Sequence, residues 1–364
     1  MQTKQRFDPK SPEIQALRRE IRLGTFTREG MMVAFPMCLP GVTVPIVHDE
    51  SRITALDITP DGVIYGGTSG KQAHLFAANF RGLTGIVFDI GAPAGANRCA
   101  GMCFGSTRFV AFVNGPRGGR AVSARAVSLF QDLIQEWSFT RPPLDDLGEC
   151  VAGEPVAHAV TDMSRRTAVG VTSGHLFTVD LEGLKIQVVG EVPAASRIAL
   201  GSKGGVYGCD GERYLWRFDP KTREMQRNAV PLPAGVWNHS MSWARDGRNG
   251  LLYTAEGGGR LFSFDEERGF SGPLGRAPLA PVGPMAATLD GRVFGFCGPE
   301  IAKMFCFEPR SGEVTNLGVA VSVLERRRYG YVFGDAVTGR EGEIIFGEDD
   351  DGGHLWLYFP RIRA

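Results

Sequence analysis

The sequence predicts an all-β chain, a seven-bladed β-propeller with four-stranded blades, and three observations carry that prediction. Glycine and proline (49 and 22 of 364 residues) make up about a fifth of the chain, against roughly 12% on average, while hydrophobic residues stay at 43%. The chain is therefore rich in turns and still able to build a core. A pattern also recurs: a short apolar strand, a turn, a second strand ending near Gly, a polar loop, then a pair such as Leu-Phe followed by Asp. Its seven copies begin at Arg52, Arg98, His158, Arg197, His239, Pro284 and Tyr329, spaced 46, 60, 39, 42, 45 and 45 residues apart. Four strands at a period of about 40–45 residues is the signature of a propeller blade.

RITALDITPDGVIYGGTSGKQAHLFAANF, from Arg52, reads the pattern in full, and HAVTDMSRRTAVGVTSGHLFTVD, from His158, repeats it. Fourth strands follow the Leu-Phe pairs, as in KIQVVGEV, REMQRNAV and GEVTNLGVA. The last copy ends at FPRIRA without one. REIRLGTF, Arg19 to Phe26, resembles the missing strand and is expected to close the ring by pairing with the last blade, which removes the exposed edges. Residues 1–51 then hold a short helix capped by Ser11 with Pro12 at its first position, the closing strand and a lead-in; residues 52–364 hold the repeats, all in one domain. In the long second repeat, Ala126, Leu129, Leu133 and Trp137 have helical spacing, although an outer strand pair fits the same stretch.

Several classes of function drop out. Forty basic and forty acidic side chains cancel, so no global field draws the chain to nucleic acid or an anionic membrane. No apolar run reaches the ~18 residues of a membrane helix. The start, MQTKQRFDPKSPEIQ, shows no secretion signal, which predicts a cytoplasmic protein, or a secreted or periplasmic one if a leader has been removed. Seven cysteines are too few and too odd for a disulfide scaffold, and they read mostly as reduced thiols.

A propeller fixes where chemistry can sit, because the segments leading into each innermost strand share one face with the loops between second and third strands. The lead-in positions carry Arg52, Arg98, His158, Arg197, His239 and Tyr329. Arginine forks onto carboxylates, while histidine and tyrosine move protons. Trp237, beside Asn238 and His239, offers a ring to stack on a sugar, and His48 is a weaker candidate. His74, His175 and His354 share one repeat slot before Leu-Phe or Leu-Trp, which points to packing or a loop hydrogen bond. The acidic run Glu348–Asp351 has the composition of a calcium loop, and with it a structural divalent ion, but not the EF-hand spacing. GGTSGK, Gly66 to Lys71, fails as a phosphate loop, since Gln72 stands where Ser or Thr belongs. Cys99 and Cys103 have no second pair with which to hold zinc.

The T-S-G-x-H-L-F-x-x-D repeat, the R-F-D-P-K-T blade ending and the G-E-D-D-D-G-G-H-L-W-L-Y tail resemble seven-bladed propellers active on carbohydrates, the polysaccharide lyases and rhamnosidase-like proteins. That resemblance spans Arg52 to Pro360 and implies a lyase that cleaves uronate-containing glycans by β-elimination. A positive group would neutralise the uronate carboxylate, and His or Tyr would take the C5 proton and assist the leaving oxygen. Arg52, Arg98 and Arg197 then hold the acid sugar, His239 or His158 is the base and Tyr329 the acid. Two other readings of the pocket stay open: a hydrolase using Glu256 with Glu348 or Asp349, and a non-catalytic propeller that binds a ligand or protein.

Overall fold

The computed structural model describes residues 10–12, 15–16, 29–37, 46–81, 84–126, 141–193, 197–323 and 328–361. Among them the strands form antiparallel sheets, three of four strands, two of five, and one of eight whose two four-stranded halves meet only at Ser69 and Arg98. The innermost strands are Arg52–Ile58, Arg98–Phe104, Val156–Thr161, Ile198–Leu200, Ala244–Arg245, Val282–Ala287 and Phe333–Thr338. These define blades 1 to 7.

The core explains why one blade cannot stand alone. The buried apolar residues of the described chain form seven clusters, each shared by two successive blades, and the seventh joins Ile345, Leu355 and Leu357 of blade 7 to Ile53, Ile64 and Phe76 of blade 1. Alternate residues of one strand serve opposite neighbours. Phe109, Ala111 and Val113 pack toward blade 1, and Val110 and Phe112 toward blade 3. Sheets covered on both faces need apolar residues at every position, which is why RFVAFVNG shows no alternation.

Glycine in the second strands has a specific partner. Gly66, Gly170, Gly208 and Gly295 lie directly opposite Phe76, Phe177, Trp216 and Phe305 of the third strands. At Gly66, Gly170 and Gly208 the opposite ring fills the space that a Cβ would need. The recurring Gly and the recurring Leu-Phe or Leu-Trp are thus two halves of one cross-strand pair.

The ring closes through an N-terminal strand, though not the expected one. Gly30–Pro36 pairs antiparallel with His354–Pro360 as the outer strand of blade 7, from Gly30 opposite Pro360 to Pro36 opposite His354. Met32, Val33 and Ala34 are buried in it. Arg19–Phe26 lies outside the described residues, as does most of the helix begun at Ser11, of which Pro12, Gln15 and Ala16 are helical. In blade 2, Gly118–Arg125 is the third strand and Asp145–Glu149 the fourth. The helix read at Ala126 to Trp137 therefore cannot begin before Ala126, and residues 127–140 lie outside the description. The described cysteines are buried.

Candidate functional site

The lead-in ends of the innermost strands border a cavity of about 990 Å³ lined by Arg98, His158, Arg197, Trp237, His239 and Asp349, among others. His158 and Arg197 also border a second cavity of about 370 Å³ at the opposite mouth. Five of the seven residues singled out by sequence thus meet at one mouth: Arg98, Arg197, His158, His239 and Trp237.

Arg52 and Tyr329 do not join them. Arg52 is half exposed and held by Asp351, Nε to Oδ1 at 2.7 Å. Tyr329 pairs with Val321 at the outer edge of blade 6 and stacks on Tyr331, because the innermost strand of blade 7 begins only at Phe333. The repeat start was read four residues early, so no phenol reaches the cavity from Tyr329. His48 lies in a short helical turn, His48–Glu50, that does not line the cavity. Trp237 borders the cavity but is only 3% exposed; its indole N–H donates to the Pro233 carbonyl at 2.7 Å and its ring packs near Phe262 and Phe270. A ring so enclosed has no face left for a sugar.

His158 has a clear chemical state. Its Nδ1 accepts the backbone N–H of Ile198 in blade 4 at 3.4 Å, so a neutral ring carries its proton on Nε2. Burial, and then the Arg197 charge, push its pKa down to about 3. An imidazole that weakly basic is a donor at neutral pH, and a poor proton acceptor. The bond also belongs to a series that sequence reading missed. Asp57 of blade 1 accepts the N–H of Phe104 in blade 2 at 2.7 Å, and Asp335 of blade 7 accepts the N–H of Leu56 in blade 1 at 2.9 Å. In each case an inward side chain fastens the next blade's innermost strand. An aspartate set within an apolar strand, as in TALDIT and VFGDAVT, was the available signal. Burial pushes Asp57 up to about 6, and Asp335 also upward, with Arg165 and Arg197 respectively opposing.

His239 differs. Burial lowers its pKa below the ordinary histidine value, against the opposing effect of nearby carbonyls and of Glu256, so the ring is neutral at neutral pH. Its Nδ1 is shielded from water and has no hydrogen-bond partner among the described residues. Arg98 is exposed at the rim of the same cavity and forms no ion pair among the described residues. Burial raises the pKa of Asp349, the one carboxylate of the cavity wall, although Arg52, Arg98 and Arg197 oppose it.

The remaining acids and histidines are already engaged. His74 sits between Glu50 at 2.9 Å and Asp89 at 3.1 Å, His175 on Glu154 at 2.7 Å, and His354 on Glu348 at 2.9 Å. Arg260 fills the same slot on Glu256. This slot is an ion-pair position of the repeat. Glu256 is 3% exposed and also takes the N–H groups of Gly258, Arg260 and Val236; burial alone would raise its pKa, yet these donors pull it to about 2. Neither Glu256 nor Glu348 lines the cavity, which removes the carboxylate pair of the hydrolase reading. The acidic run is divided between Arg328 on Glu348 and Arg52 on Asp351, and no group of three metal-ligating side chains occurs among the described residues. No helix among these residues is long and apolar enough to cross a membrane.

No family profile and no curated protein matches the chain. Solved structures do. A streptogramin B lyase aligns with TM-score 0.64 at 9% identity, covering 92% of this chain and 99% of its own. A catalytically inactive histidine-to-alanine virginiamycin B lyase from Staphylococcus aureus, with quinupristin, gives 0.61 at 9%, covering 90% and 99%. The WD40 propeller domain of Doa1 gives 0.55 at 10%, covering 89% and 96%.

The likeness is one of fold. These neighbours establish the β-propeller, and at such identity lyases and a WD40 domain share it without sharing chemistry.

Proposed function

We propose that the cavity at the lead-in mouth is the active site of a carbon–oxygen lyase acting by β-elimination on an acidic sugar, a uronate within an oligo- or polysaccharide. The observation that carries this reading is the pairing of types in one cavity: a guanidinium that forms no ion pair among the described residues, Arg98, and a neutral histidine, His239. The neighbouring lyases named for streptogramin B and virginiamycin B add that a propeller can host lyase chemistry.

The proton beside a carboxylate is very weakly acidic, so its removal needs the negative charge masked. Arg98 forks onto the carboxylate, and the Nε2–H of His158 supplies a further donor at the cavity wall. His239 takes the C5 proton; the C–H electrons form the double bond as the C4–O bond breaks. The imidazolium then returns that proton to the leaving oxygen. One residue serves as base and then acid, so the step balances without Tyr329.

Incubation with uronate oligosaccharides tests this through the absorbance of the unsaturated product. A rising trace that His239→Ala abolishes supports the lyase. A flat trace across uronate types, with folded protein that still binds them, replaces it with a non-catalytic binding propeller.

A further inference from the structure

The lead-in to blade 6 breaks the pattern of the others. Where they carry Arg, His or Tyr, residues 277–287 read APLAPVGPMAA, without one polar side chain. The cavity of about 990 Å³ inherits this difference. Blade 6 contributes Pro281, Val282, Gly283 and Pro284 to its wall, and is the one blade whose lining, among the described residues, holds no polar side chain. Arg98 of blade 2 stands across the axis from it, since two blades separate them one way around the ring and three the other. The cavity is thus cationic on one side and apolar on the opposite one.

The apolar side continues onto the surface. Leu279 and Ile301 of blade 6, with Val236 of blade 5 and Tyr331 of blade 7, are 36% to 55% exposed. All four lie in lead-ins or in a loop between second and third strands, and so on the face of the cavity mouth. Neighbouring segments join them. The Val236 carbonyl accepts the N–H of Gly257 at 2.7 Å, and a Cβ on Gly257 would come within 3.2 Å of Val236 Cγ1. Leu279 lies over Gly298 in the same way, its Cδ1 2.9 Å from where a Cβ would stand. Ala302, next to Ile301, donates its N–H to the Tyr331 carbonyl at 2.8 Å. Exposed apolar side chains grouped beside a cavity mark a binding surface, as single scattered ones do not.

We propose that the substrate carries an apolar aglycone, an aryl or alkyl group that lies along Pro281–Pro284 and the rim of Leu279 and Ile301. This rests on the lyase reading for the acidic sugar near Arg98 and His239, and on the blade 6 wall for the aglycone. The volume reaches the upper end of the roughly 300–1,000 Å³ of small-molecule sites, room for a sugar and an aglycone together. A further sugar on blade 6 would lay hydroxyls against a wall whose side chains cannot answer them.

Two 4-O-glycosyl uronates are the probes, one closed by a methyl and one by a phenyl aglycone. Calorimetry on His239→Ala protein reads their binding without turnover, and the phenyl compound is expected to bind at least tenfold tighter. Leu279→Ser combined with Ile301→Ser, on the same background and with a melting temperature that confirms the fold, should reduce that ratio to threefold or less. Equal affinities, or a ratio that the double substitution leaves in place, would overturn the aglycone site. Product formation by the unaltered protein is scored separately. Product from both compounds with equal affinities rejects the aglycone site and keeps the lyase; a tenfold preference without product keeps the aglycone site and rejects the lyase.

Discussion

Arg197 of blade 4 reaches across the channel to Asp335 of blade 7, with 3.3 Å between Nη1 and Oδ1. These blades lie on opposite sides of the ring, so this pair is a strut across the axis as well as a wall between the two cavities. The side chains are 21% and 17% exposed, which leaves the charges only partly screened. Removing one partner strands the other, at a cost of about 3 kcal/mol. Asp335→Ala should cost more than Arg197→Met, because it also leaves the N–H groups of Leu56 and Ala336 unanswered. Urea denaturation of both singles and the double variant should give a coupling above ~0.5 kcal/mol. Simple additivity would show that the strut does not stabilise the ring.

His158 makes stability depend on pH with a definite sign. Its folded pKa of about 3 lies below the unfolded value, so below pH ~6.5 the unfolded chain binds a proton that the folded ring refuses. Stability is lost as pH falls through that window. Between pH 6.5 and 5 this amounts to up to about 2 kcal/mol, at 1.36 kcal/mol per unit. His158→Asn keeps an acceptor for Ile198 N–H but does not titrate. The difference in unfolding free energy between the two proteins should therefore shift toward the variant as pH falls. A difference that stays constant with pH would show that His158 titrates normally in the folded ring.

Gly170 and Phe177 test the cross-strand device of the blades. A Cβ at position 170 would overlap the buried Phe177 ring, so Gly170→Ala should cost about 1–3 kcal/mol by overpacking. Combined with Phe177→Leu, part of that cost should vanish, since the space is then free. Thermal denaturation of the four proteins reads this directly. Equal penalties for Gly170→Ala on either background would mean that the ring does not fill the space.

How far the sequence speaks follows from the same contacts. The repeat was legible because several blades solve one packing problem with the same Gly–aromatic pair or the same ion-pair slot, as at Gly170, Phe177 and His175. Blade starts were legible where a polar side chain opens an apolar strand, as at Arg98. At Tyr329 the chain adds a short outer pairing to blade 6 before blade 7 begins, and local pattern cannot distinguish that from a blade start. The closing strand was misplaced because its partner is more than 300 residues away, beyond the reach of local periodicity. Trp237 was misread because a ring beside a polar segment can turn inward as easily as outward. The fastening role of His158, Asp57 and Asp335 depends on neighbouring-blade N–H groups, which only the assembled ring brings near.

The closing strand carries the next prediction. Gly30–Pro36 covers the edge of His354–Pro360 and contributes Met32 and Ala34 to the cluster between blades 6 and 7. A chain beginning at residue 38 loses that cover, and an exposed, apolar edge strand such as HLWLYFP invites pairing between molecules. Size-exclusion chromatography should show association or aggregation of the truncated chain, and addition of a peptide spanning residues 29–37 should reduce it. A truncated chain that remains monomeric with an unchanged melting temperature would remove the strand from the closure of the ring.

For the lyase reading, His239 and Arg98 should separate in kinetics. A base must be unprotonated, and burial keeps the pKa of His239 below the ordinary histidine value, so the acid limb of the rate profile should have its midpoint below pH ~6.5. His239→Ala should lower kcat by about 10²–10⁴-fold with a small change in KM. Arg98 binds the carboxylate and also masks the charge that builds up on it as the C5 proton leaves, so Arg98→Met should raise KM by roughly tenfold or more, lower kcat as well, and leave the pH profile in place. Arg98→Lys should restore only part of the loss, because an ammonium cannot fork onto two oxygens. If the acid limb stayed in place after His239→Gln, in whatever activity remained, the base would have to be another group of the cavity, and Asp349 would be the first to test.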